Sequence, residues 1–142
     1  MCCYTKDNEF RITDKPIRCF KIMRRLGKYS LNDWESEYFS YCYKNGETYY
    51  LDNPGGFTFL MGTSEYNVVE YGFHSFRYKN EARDICEGYE FEEKEYEVVE
   101  CEIPKGCRYC LGRDCCGFDT FVSDVIKIKG IIENFKNYLK EE

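Results

Sequence analysis

The chain has 142 residues with a formal net charge of −6, 18% aromatic residues and 10 cysteines. That length fits one domain able to bury a real core, and the aromatic richness favours sheet and excludes disorder. The acidic balance argues against nucleic acid as a partner, since backbone phosphates are held by clustered Lys and Arg.

In chain order, residues 1–16 are polar and charged and read as a loosely ordered arm preceding one domain, 17–142. Ile17 to Arg25 is apolar on both faces and reads as a central strand. It also carries most of the only basic run, Arg18, Lys21, Arg24, Arg25 and Lys28, which is expected to be a solvated edge. Leu26 to Glu35 reads as a turn or short helix leading to Trp34. Tyr38 to Tyr43 and Glu47 to Leu51 flank Asn45-Gly46, the dipeptide most typical of a tight hairpin. Asp52 to Gly62, with Pro54-Gly55-Gly56, is a loop. No Gly-Lys-Ser/Thr follows it, so its glycines mark turns rather than a phosphate cradle.

Val68 to Phe76 reads as a further strand and holds the only histidine, His74. Asn80 to Cys86 places Ala82, Ile85 and Cys86 on one helical stripe, with Asn80 able to cap. Gly88 to Lys94 is an acidic turn. In Tyr96 to Gly106 the apolar Val99, Cys101 and Ile103 alternate with Glu100 and Glu102, the period of a half-buried strand. Pro104 and Gly106 then end it in a turn. Val125 to Ile132 alternates in the same way, Ile126 and Ile128 against Lys127 and Lys129. Acidic and basic outward positions suit neighbouring strands. Ile132, Phe135 and Leu139 have helical spacing and predict a C-terminal helix. The expected fold is α+β: a mostly antiparallel sheet with a short internal helix and a C-terminal helix.

No stretch approaches the roughly 20 apolar residues of a membrane span and no signal-type apolar run opens the chain. A cytoplasmic location with no membrane partner is expected, its cysteines being reduced and used as small core residues. Cys107, Cys110, Cys115 and Cys116 are the densest group. The second pair is adjacent and the intervening loop is short for a zinc knuckle, so the expectation is no metal ligand set. A zinc-stabilised interaction protein stays open as an alternative. His74 titrates near neutrality when unperturbed. A regular strand turns Ser75 away from it, which disfavours a Ser-His nucleophile.

Together, Met1-Cys2 with Tyr4, Cys19-Phe20-Lys21-Ile22, Gly72-Phe73-His74-Ser75-Phe76, Ile103-Pro104-Lys105-Gly106 with Tyr109, and Ser123-Asp124-Val125-Ile126 resemble a group of small uncharacterised proteins of bacteriophages and gut bacteria. More remotely, the order of motifs is similar to the ADP-ribosyltransferase-like fold. That resemblance implies Arg18 or Lys21 at a first-strand basic position, His74-Ser75 on a middle strand and Asp124 at the late acidic position. Arg18, Lys21, His74 and Ser75 are then candidate cofactor-binding residues, and His74 and Asp124 candidate catalytic ones. The family's acidic residue is Glu, one methylene longer than Asp124, and a displacement of about 1 Å can cost ~10²-fold in rate. The expected function is therefore a small binding module for a nucleotide or a host protein. The alternative is a transferase acting on a nicotinamide dinucleotide.

Overall fold

The computed structural model describes residues 3–5, 9–25, 33–36, 42–58, 60–61, 67–69, 71–89, 96–114 and 116–134. Among them, thirteen strands join one antiparallel sheet and one α-helix packs on it. The strands are β1 (Cys3–Thr5), β2 (Arg11–Ile12), β3 (Ile17–Arg25), β4 (Asp33–Ser36), β5 (Cys42–Lys44), β6 (Thr48–Tyr50), β7 (Leu60–Met61), β8 (Asn67–Val69) and β9 (Phe73–Phe76). After the helix α1 (Lys79–Tyr89) come β10 (Tyr96–Ile103), β11 (Arg108–Arg113), β12 (Asp119–Ser123) and β13 (Val125–Asn134). The main path runs β6-β13-β10-β3-β9-β12-β11-β1-β8-β7.

Alternation decides which way each strand faces. Cys19 and Met23 of β3, Val99, Cys101 and Ile103 of β10, Ile126 and Ile128 of β13, Phe73 of β9 and Phe121 of β12 form one buried cluster. Tyr109 and Leu111 of β11 pack against it. Strands from both ends of the run β13 to β11 share this core, so the sheet curls around it. On the outer face, Phe20 and Ile22 of β3, Phe76 of β9 and Val98 of β10 meet Ala82 and Cys86 of α1. Burying these apolar stripes is worth roughly 1.5–3 kcal/mol for each large side chain. Outward charges pair as the alternation requires: Glu102 lies 3.9 Å from Lys129, and Glu100 is bonded to Arg18.

Tight corners join the long strands. Gly106, at φ +82°, turns the chain from β10 into β11, and Thr13 clasps that turn by donating from Oγ1 to the Pro104 carbonyl at 2.6 Å.

The structure corrects several expectations; for one, Asp33 to Glu35, read within a turn or short helix, belong to strand β4. The C-terminal helix is not formed where it was to begin. Ile132 to Asn134 continue β13, with Glu133 and Asn134 opposite Val98 and Glu97. Ladder bonds to β10 outweigh a helical spacing there, and residues 135–142 lie outside the described residues. The segment read as a loose arm contributes β1, which runs between β11 and β8 with Cys3 fully buried. The Asn45-Gly46 turn forms, with the Glu47 N–H donating to Lys44 at 3.3 Å. Its flanks then separate, β5 pairing with β4 and β6 with β13, because Ile128 bonds the turn itself through Gly46 N–H and Glu47 C=O. Finally, Val68 to Phe76 is two strands, broken at Gly72. Its φ of +143° favours glycine, and a β-carbon there would sit 2.5 Å from a Val122 methyl.

Candidate functional site

β3 is paired with β10 along nearly its whole length. Its other side is shared: β9 meets it at Phe20 opposite Phe76, and β4 takes over from Met23 to Arg25. The sheet forks between these two partners, at Lys21 and Ile22. Lys21 alternates with Cys19 and Met23, so it projects onto the apolar inner face, where only 9% of it is exposed. Its ammonium donates to the backbone carbonyl of His74 and lies 5.4 Å from the centre of the Tyr43 ring. At the fork an ammonium thus supplies a donor to the parting edge of β9.

A second charged side chain faces the same interior. Glu97 of β10 is 1% exposed and stands opposite Met23, while Lys21 stands opposite Val99. The two are one diagonal step apart on one face, within reach of long side chains. Sequence reading overlooked Glu97, although the signal is present: extending the Val99, Cys101, Ile103 phase back by two positions lands on it. Ser75 is fully buried on this face too, next to the Cys19 thiol, which interacts with it.

His74 is not offered to solvent. The imidazole is half-buried, with Nδ1 3.1 Å from the Gly72 carbonyl and Nε2 3.2 Å from the Val69 carbonyl. Burial, and then the charge of Lys21, lower its pKa to about 4. A neutral ring has one N–H for two acceptors, so one carbonyl goes without a donor from it.

An expected outcome follows from the sign of that shift. The unfolded chain takes up the proton near pH 6.5 and the folded chain only near pH 4. Stability conferred by neutral His74 is complete above pH 6.5 and is lost as the pH falls toward 4, by about 3 kcal/mol in all. Denaturant titrations of the wild type and His74→Asn should therefore diverge in pH dependence over that window and run parallel above it. Parallel curves throughout would remove the assignment.

The remaining candidates are engaged elsewhere. Arg18 is exposed on the outer face, bonded to Glu100, with its guanidinium carbon 5.1 Å from the Phe20 ring centre. Arg18 and Lys21 therefore serve opposite faces of β3. Asp124 occupies the corner between β12 and β13. Its Oδ1 accepts from the Arg108 N–H at 3.0 Å, its own N–H donates to the Arg108 carbonyl at 3.1 Å, and its carbonyl accepts from Leu51 at 3.2 Å. The carboxylate thereby holds the β11 strand end. The register continues from His74 opposite Val122 to place Asp124 one diagonal step from His74, without joining their side chains.

Cys107, Cys110 and Cys116, close in sequence, lie in different surroundings. Cys107 packs against the inner core, and burial pushes its pKa up. Cys110 lies in an outer cluster with Cys3, Phe57, Val69 and Val122, Cys116 is exposed, and Cys115 lies outside the described residues. Among the described residues no three His, Cys, Asp or Glu side chains are grouped to hold a metal ion, and no helix is long and apolar enough to cross a membrane. No protein-family model, curated protein or solved structure matches the chain.

Proposed function

We propose that the chain is a small binding module that takes an anionic ligand of the nucleotide class at the fork of β3, β4 and β9, with Lys21 as the phosphate contact. The observation that carries this reading is the placement of Lys21 on the largely apolar inner face, beside Tyr43 and one diagonal step from Glu97. Ligand sites commonly combine such an apolar, aromatic wall with a few convergent polar groups. Lys21, the His74 backbone, Ser75 and Glu97 supply them here. Glu97 suits a ligand that also carries donors, as a nucleobase does.

Asp124 supports binding over transfer. Its carboxylate is committed to the Arg108 N–H, whereas a transferase acting on a nicotinamide dinucleotide needs that position turned to the substrate.

Calorimetric titration of the full chain with adenine and nicotinamide nucleotides should show binding. Losing a charge-assisted hydrogen bond through Lys21→Met should weaken it by about tenfold or more, while circular dichroism confirms the fold. A folded Lys21→Met chain with unchanged affinity, or no heat from any of these nucleotides, would reject the reading.

A further inference from the structure

Two pairs of buried cysteines each share a face of this sheet, and they differ chemically. Cys19 and Cys101 are directly opposite across β3 and β10, at the centre of the inner core. Burial pushes Cys19 up to about 12 and Cys101 well above its ordinary value. Both remain thiols at the centre of two long strands, and buried thiols of this kind are unreactive.

Cys3 and Cys110 are arranged otherwise. Both belong to the outer cluster with Phe57, Val69 and Val122, at 0% and 1% exposure. β1 lies so close over β11 that the Cys3 Sγ is 2.6 Å from where a β-carbon on Gly112 would stand. Gly112 and Cys110 are two residues apart on β11 and so share a face. The Cys3 sulfur is seated on that face. The two thiols interact, and the hydrogen bond from Cys110 is the largest of the influences that together lower the pKa of Cys3. We propose that Cys3 and Cys110 are a peroxide-sensitive thiol pair, converted by hydrogen peroxide into an intramolecular disulfide that fastens β1 to β11.

The steps balance. The Cys3 thiolate attacks one oxygen of the peroxide, the O–O bond breaks, and hydroxide leaves with a proton as water, so that Cys3 becomes a sulfenic acid. The Cys110 sulfur then attacks Cys3 sulfur, the S–S bond forms as the S–O bond breaks, and the departing hydroxide takes the Cys110 proton as a second water. Two thiols are oxidised and one peroxide is reduced by two electrons. Access is through β1. It is three residues long, meeting β11 in register only at Tyr4 opposite Arg113 while all three of its residues pair with β8. So short an element opens locally at lower cost than the long central strands.

The test uses the full-length chain, purified with reductant, freed of it, exposed to hydrogen peroxide without denaturant and then alkylated. The expected product has lost two hydrogen atoms, yields one linked peptide joining Cys3 to Cys110, and returns to the starting mass with a thiol reductant. Cys110→Ser should leave Cys3 as a sulfenic acid captured by a dione probe. If that variant does not fold, the wild-type peptide map decides alone. Cys3 and Cys110 alkylated only after unfolding, a bond confined to Cys19–Cys101 or Cys115–Cys116, or linkage only between chains would each overturn the proposal.

Discussion

Replacing Ile103 by Asp should leave no folded protein at ordinary temperature, while Glu102→Gln, one residue away, should shift the denaturation midpoint barely at all. Ile103 is fully buried at the end of β10, among Cys101, Ile126 and Ile128. The aspartate would forfeit roughly 2–3 kcal/mol of apolar burial and would add several kcal/mol for a carboxyl without a partner. Together these approach the whole of a small domain's stability, about 5–15 kcal/mol. Glu102 faces outward, and its ion pair to Lys129, at 3.9 Å, is partly open to solvent. Such pairs are worth about 0–1 kcal/mol. Circular dichroism with urea titration of both variants tests the register. Equal losses would mean that the two faces of β10 have been exchanged.

The strands that alternate were readable, because period 2 is a local property. β3, β10 and β13 lie where Ile17–Arg25, Val99–Ile103 and Val125–Ile132 predict them, and α1 follows from the stripe Ala82, Ile85, Cys86. What was not readable depends on partners distant in sequence. Nothing near Asn45-Gly46 announces that Ile128 will bond its turn and draw β6 away to β13. Nothing in the polar first residues announces that β11 carries a glycine over which Cys3 can settle.

The candidate site shows the same division. That Lys21 shares a face with Cys19 and Met23 is written in their spacing. The fork that makes this position unusual arises from β9 and β4 competing for one side of β3, a tertiary event. His74 and Asp124 were singled out for their chemistry as side chains. Both instead hold backbone in place, His74 through its single N–H at the carbonyl of either Val69 or Gly72, and Asp124 at the end of β11.

Gly112→Ala should be the most damaging single-methyl change in the chain's outer layer. The new β-carbon would stand 2.3 Å from the Tyr4 carbonyl oxygen and 2.6 Å from the Cys3 Sγ. The first of these is backbone and cannot rotate aside, so β1 must move off β11. Overpacking of this kind costs about 1–3 kcal/mol and more where backbone is displaced. Here the burial of Cys3 and the pairing of Tyr4 with Arg113 would also be lost. Gly55→Ala is the matched control, since its β-carbon would meet only the Asn53 side chain, at 3.4 Å. Urea titration should show a loss of about 3 kcal/mol for the first and little change for the second. Hydrogen exchange should place the damage at the amides of Cys3 to Thr5 and of β8, with β3 and β10 still protected. Because the lifted strand carries Cys3 away from Cys110, the same variant should form less of the peroxide-dependent disulfide. A Gly112→Ala chain as stable as the wild type, with β1 still protected, would show that β1 does not rest on β11 as closely as described.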